Sequence, residues 1–304
     1  MKKKLLIICL VIVSLYVVIV GGIFKLYLDL NKVFEKANQP IEKELDLRDG
    51  EVSFNNMDAF SFLFLGIDTG DLDREEIGRS DAIMLGTVNP NEKKTTLISV
   101  PRDTRMLIVG KNIDDKINHA YAFGGPDMSV NSLEKYFNVP IDKYVSLNMK
   151  GLGDLVDAVN GIKIQNSLEF TSNGYEFPLG LNHLNGKQTL AYVRMRYDDP
   201  NNDYGRQERQ RKVVSSLVSE LVRPEIILRY SKVMDIVQQN LKTNMSFNEI
   251  KTIVFNYKDC FQQQEFDQLL GEGTTIDDIS YQVVSEEERN RVATLLNGQL
   301  GMNE

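Results

Sequence analysis

An uncharged run of twenty residues from Leu5 to Phe24, LLIICLVIVSLYVVIVGGIF, follows directly on Lys2, Lys3 and Lys4. At about 1.5 Å of rise per residue, such a helix spans roughly 30 Å, the thickness of a bilayer's hydrocarbon. The run predicts one transmembrane helix, with the lysines cytoplasmic under the positive-inside rule and the rest of the chain outside the cell. A cleaved leader is not expected, because the chain continues past Gly21 and Gly22 as IFKLYLDL with no small-residue cleavage site, and Ile8 is too large to precede a lipidated Cys9. The expected division is a cytoplasmic tail at 1–4, the membrane helix at 5–24, a juxtamembrane helix and stalk at 25–58 broken at Pro40, and one domain at 59–304.

Within that domain the pattern is α/β. Short apolar runs at 60–67, 82–88 and 95–100, each bounded by Gly, Asp, Asn or Pro, predict buried strands. A helix at 127–137, a strand at 143–148, a helix at 152–159 and a strand at 162–164 follow. Strands alternating with helices predict an αβα sandwich around a central sheet. Helices are expected at 207–222, 224–239 and 246–257, and another from 285. Ser246 with Glu249, and Ser285 with Glu288, have capping-box spacing. The run 279–284 is expected to return to the same sheet as a strand.

Charge narrows the function. With 35 Lys and Arg against 43 Asp and Glu, the net charge is −8. That counts against nucleic-acid binding, which needs a basic face to displace phosphate counterions. Two cysteines make no disulfide framework or CxxC zinc site, and the only histidines are His119 and His183. His119 is expected to pack in a loop and His183 to lie in a turn. Ser80 has no histidine near it in sequence, and no P-loop, GxGxxG, HExxH or GxSxG pattern occurs.

Carboxylates and arginines remain, and they cluster. Asp68 follows the first apolar strand, Arg79 and Asp81 precede the second, and Arg102 and Asp103 follow the third. Ligands of open α/β sheets collect at such strand ends. A second cluster runs from Arg194 and Arg196 through Asp203 to Arg206 and Gln210. In an extended segment Arg194 and Arg196 would share a face. Arg206 and Gln210, four apart, share a face at the start of a helix whose free N–H groups favour an anion. Arginine's planar fork grips phosphate oxygens in pairs. Asp203 suits either a helix cap or a functional role, while Glu208 and Arg209 suit a surface helix laced with ion pairs.

FLGIDTG, GRSDAIMLGTVNP, LISVPRDT, KINHAYAFGG, LVDAVNGI, LNGKQTLAYVRMR and DYGRQERQRKVV occur in this order over residues 60–220. The series resembles the LytR-CpsA-Psr family of Gram-positive cell-envelope proteins, whereas residues 225–304 match none of its motifs. The resemblance implies an αβα sandwich with an apolar pocket for a polyprenyl chain. It further implies transfer of a glycopolymer, such as wall teichoic acid or capsular polysaccharide, from a polyprenyl-pyrophosphate carrier to peptidoglycan. Asp68 and Asp81 match the Mg²⁺-associated carboxylates. Arg79, Arg102, Arg194, Arg196, Arg206 and Gln210 match the residues around the pyrophosphate, and Asp203 an acidic position beside it. Mg²⁺ takes one or two carboxylates and fills its octahedron with phosphate oxygens and water, which suits such a site. Asp81 and Asp203 are both candidate bases, and Arg102 a candidate to stabilise charge on phosphorus. With water as nucleophile the same site would be a hydrolase. Without turnover it would be a lipid-linked glycan binder that regulates the envelope.

Overall fold

Along Phe60–Ile67 the side chains of Leu63, Leu65 and Ile67 point to one face and those of Phe60, Phe62 and Phe64 to the other, and all six are buried or half-buried. A strand apolar on both faces has to be covered on both. The computed structural model of the protein, which describes residues 20–22, 24–69, 78–196 and 198–302, meets that demand with a sheet between two layers of helices.

The strands are β1 (Phe60–Ile67), β2 (Ser80–Asn89), β3 (Lys94–Ser99), β4 (Arg105–Ile108), β5 (Ile113–Lys116), β6 (Lys143–Asn148) and β7 (Ile162–Asn166). There follow β8 (Phe170–Ser172), β9 (Tyr175–Phe177), β10 (Gly180–Leu184), β11 (Leu241–Thr243), β12 (Gln264–Gln268), β13 (Glu272–Ile276) and β14 (Ile279–Val283). The helices are α1 (residues 24–37), α2 (Ile117–Phe137), α3 (Met149–Ala158), α4 (Gly186–Arg194), α5 (Asn202–Leu221), α6 (Tyr230–Asn240), α7 (Phe247–Asn256) and α8 (Glu286–Leu300). The central sheet has the order β11-β6-β1-β2-β3-β12. It is mixed, because β1/β6 and β3/β12 are parallel and the other neighbours antiparallel.

On one face Leu63, Leu65 and Leu85 pack with Leu133 of α2 and Leu296 of α8. On the other, Phe64 and Leu147 lie under α3 to α6, and Phe60 and Val88 under α7. Gly86 is needed where Phe62 crosses β2, since a Cβ there would stand 2.6 Å from the ring.

Several sequence expectations change. The apolar run 5–24 lies largely outside the described residues, and no described helix is long and apolar enough to cross a membrane. Residues 38–58 are no free stalk. Asn38 bridges to Thr243, Lys43 Nζ lies 3.0 Å from Glu134, Arg48 Nε lies 3.2 Å from Asp142, and Phe54 is buried under α7. The helix expected at 127–137 is the second half of α2, bent at Gly124 and Gly125, so His119 is helical rather than in a loop. His183 sits in β10 rather than a turn. Arg194 ends α4 instead of lying on a strand, because Asn185 and Gln188 form a capping box that starts a helix.

The strand that returns to the sheet is β12, whereas β14 pairs with β13 in a separate hairpin. The apolar Ile279 and Val283 of β14 point outward, and β12, an edge strand reading QEFDQ, has no apolar signature. Ser246 and Glu249 form the full capping box, but Glu288 completes only half of its own, its carboxylate instead accepting from the Leu270 N–H and Arg291.

Candidate active site

The end of β1, the start of β2 and the turn after β3 meet at one end of the sheet. The antiparallel β1/β2 pairing sets Ile67 opposite Ser80, and beyond it the Asp68 N–H donates to the Arg79 carbonyl. Asp81, one residue into β2, has its Oδ1 2.9 Å from Arg102 Nη1. Arg102 Nε lies 3.8 Å from Asp103, whose other oxygen is 3.2 Å from Lys116 Nζ.

The first turns of α5 close over this end. Asp203 lies in the first turn of α5 rather than at its cap, which is Asn201. Its Oδ1 is 2.7 Å from Arg206 Nη2 and 3.8 Å from Arg196 Nε, and its Oδ2 accepts from Gln207 Nε2. Arg206 and Gln210 share a face as their spacing requires, both 6% exposed, and Gln210 Nε2 points at the Asp81 carbonyl. The structure thus brings Asp81, Arg102, Arg196, Asp203, Arg206 and Gln210 together. Arg79 lies beside Asp68 at the strand end, and Arg194 sits in the last turn of α4.

The two arginines at the centre feel opposite balances. Burial draws the Arg102 guanidinium downward, but Asp81, Asp103 and Asp203 outweigh it and leave its pKa raised. Burial lowers Arg206 more than Asp203 and Asp81 restore, and the charges of Arg102 and Arg196 depress it further. The Nε atoms of both are buried with no hydrogen-bond partner among the described residues. Buried donors left without acceptors cost stability. An anion at this mouth would supply acceptors to both and offset the positive surplus at Arg206.

Beneath the mouth lies a narrow apolar slot of about 20 Å³ lined by residues that include Phe64, Gly66, Ala82, Leu152, Val193, Gln210 and Val213. The cross-strand partners Gly66 and Ala82 floor it, and a Cβ on Gly66 would come within 2.9 Å of that of Ala82. Gln210 belongs to both slot and mouth, so a ligand with an apolar tail and an anionic head fits the arrangement.

With this geometry in place, the similarities to known proteins are specific. The LytR_cpsA_psr family model matches residues 24–298. The chain belongs to the LytR-CpsA-Psr family. It is 45% identical over 299 residues, 98% of each chain, to the polyisoprenyl-teichoic acid-peptidoglycan teichoic acid transferase TagU of Enterococcus faecalis. The crystal structure of B. subtilis TagU superposes with a TM-score of 0.65 at 35% identity, over 80% of this chain and 97% of that one. A structure of TagT bound to LI-WTA gives 0.71 at 28% identity, over 87% and 99%.

The support beneath this LytR-CpsA-Psr site was not read from the sequence. Arg209 is no surface residue: at 4% exposure it forms a buried ion pair with Asp199 and donates through Nε to the Tyr192 carbonyl at 3.2 Å. Glu208 does form the expected kind of surface ion pair, with Lys212. Gly205 makes room for the pair, since any Cβ there would overlap the Asp199 carboxylate. Arg209 stands three residues after Arg206, a helical spacing that pointed to the same inner face. His119 pairs with Asp115 at 2.7 Å, and Arg211 donates to Ser99 at 2.6 Å.

Proposed function

We propose that this chain transfers a teichoic-acid-type glycopolymer from a polyisoprenyl diphosphate carrier to peptidoglycan, with residues 5–24 in the membrane and the domain outside the cell. The observation that carries the reading is the charged mouth of Asp81, Arg102, Asp203 and Arg206 set over an apolar slot that shares Gln210 with it. Support also comes from relatives named as teichoic acid transferases and from the resemblance to TagT holding LI-WTA. The slot has only about 20 Å³ of free space, room for about one water, so the helices over it must part to admit a long prenyl chain.

Arg102 and Arg206 would grip the diphosphate oxygens through their unpartnered Nε donors, while Arg194, Arg196, Arg79 and Gln210 surround the same anion. A peptidoglycan hydroxyl then attacks the phosphorus next to the sugar. Its O–P bond forms as the bridging P–O bond breaks, and polyprenyl phosphate leaves. Asp81 or Asp203 takes the hydroxyl proton. The arginines stabilise the charge that builds on phosphorus, being positioned before reaction begins.

Asp68 and Asp81 are the residues that would hold Mg²⁺. No group of three or more His, Cys, Asp or Glu side chains converges on a metal position among the described residues. Two carboxylates at the ends of paired strands suit an ion that draws its other ligands from phosphate and water, and when bound it would neutralise the diphosphate. Asp68→Asn and Asp81→Asn are each expected to raise the Mg²⁺ concentration needed for half-maximal transfer at least tenfold. The check is initial rate against Mg²⁺ after chelation and back-titration. Full activity in chelator, or a wild-type titration in both variants, removes the metal from the mechanism.

A further inference from the structure

The catalytic mouth occupies one end of the sheet, and α7 caps the other. Lys143 at the start of β6 pairs with Glu249, the Tyr257 hydroxyl donates to the Asp58 carbonyl just before β1, and the Thr95 hydroxyl at the start of β3 donates to the Cys260 carbonyl. The segment 249–260 therefore passes beneath β6, β1 and β3 in turn. Its inner side chains, Ile253, Tyr257 and Cys260, are buried against Phe54 and Phe60. Its outer face is exposed: Val254 is 42% and Phe255 71% exposed, flanked by exposed Lys251 and Lys258.

Helix α1 leaves the domain at the same end. Its C-terminus is fixed to the sheet edge, where Asn38 bridges to Thr243 of β11. Moving back toward the N-terminus, Phe34 stacks on Phe247 at 5.9 Å, and Tyr27 then meets Phe247 at 5.6 Å, bonds Asn248 and lies under Lys251. The helix thus passes α7 on its way out. Phe24, the last residue of the apolar run, is three residues, or about 4.5 Å, beyond Tyr27. Phe24 and Leu28 are themselves 62% and 49% exposed.

We infer that the outer face of α7, with Val254 and Phe255 as apolar contacts and Lys251 and Lys258 as cationic ones, rests in the headgroup region of the membrane and holds the domain upright on it. The inference rests on the reading that residues 5–24 span the bilayer. The chemistry recognised is an anionic lipid surface: aromatic and aliphatic side chains enter the acyl boundary while lysines meet phosphate. Of the acidic groups on this segment, Glu249 pairs with Lys143, and Asp259 lies 4.0 Å from Lys93. Asp81 then stands at the far end of β2, a ten-residue strand about 30 Å long, turned toward the wall.

The chain contains no tryptophan, so one can be introduced as the sole reporter. The full-length protein carrying Phe24→Trp, Phe255→Trp or Phe123→Trp is reconstituted into vesicles of phosphatidylglycerol and brominated phosphatidylcholine. Phe123 lies in α2, whose first turn is tied to the Arg102 carbonyl at the catalytic end, and is 42% exposed. Expected are strong bromine quenching at positions 24 and 255, with emission shifted to the blue, and none at 123. Quenching at 24 with a water-like, unquenched signal at 255 overturns the inference while leaving the anchor intact. Loss of quenching at 24 overturns the anchor reading itself, and equal quenching at 123 and 255 overturns the upright orientation.

Discussion

Arg209→Ala is expected to destabilise the domain by about 3–5 kcal/mol, because it strands the Asp199 carboxylate in a site only 6% exposed. Whole domains are stable by only about 5–15 kcal/mol, so the denaturation midpoint should fall far below wild type. The Arg209 guanidinium also ties Tyr192 and Met195 to α5, so its loss frees the segment that carries Arg196. Adding Asp199→Asn to the Arg209→Ala variant removes the orphan charge and should recover part of the loss. Equilibrium unfolding of wild type, both single variants and the double variant forms the test. Strictly additive losses would show that the two residues do not act as a pair.

Arg206→Lys is expected to cut the transfer rate by about 10²–10³-fold, the scale on which removal of a preorganised donor acts. A lysine ammonium at this position is a point charge without the fork. It can face Asp203 or the diphosphate, whereas the guanidinium faces Asp203 through Nη2 and keeps Nε for an incoming anion. Arg196→Lys should lose less, since that side chain is 39% exposed and stands 3.8 Å from Asp203. Steady-state rates and thermal melts of both variants decide the matter. Near wild-type turnover in Arg206→Lys with an unchanged melt would show that Arg206 is a structural cation only.

The sheet and its charged end were legible because their signals are local. The near-continuous apolar run FSFLFLGI identifies a strand buried on both faces, and strand ends mark Asp68, Asp81 and Arg102 directly. The four-residue spacing of Arg206 and Gln210 was enough to place both on one inner face. What could not be read depends on contacts distant in sequence. Arg209 looked like a surface residue beside Glu208, and only the approach of Asp199 across Gly205 turns it inward. Arg194 was misplaced on a strand because LAYVRM is apolar enough for either state, and the deciding signal was the capping box upstream at Asn185. Residues 38–58 carried no core pattern, since they are held by scattered polar ties such as Lys43 to Glu134 and Arg48 to Asp142. The polar edge strand β12 gave no sign of itself, its place being set by backbone pairing with β3.

Transfer by attack on the sugar-proximal phosphorus can be followed through that phosphorus itself. A polyprenyl diphosphate glycan labelled at the phosphate next to the sugar is incubated with the full-length protein, Mg²⁺ and peptidoglycan, and insoluble and soluble fractions are counted. The label is expected to become covalently fixed to peptidoglycan while unlabelled polyprenyl phosphate is released, with Arg206→Lys slowing both together. Label recovered as free glycan phosphate would make the protein a hydrolase, and label remaining on the lipid would make it a binder; either result contradicts transfer to peptidoglycan.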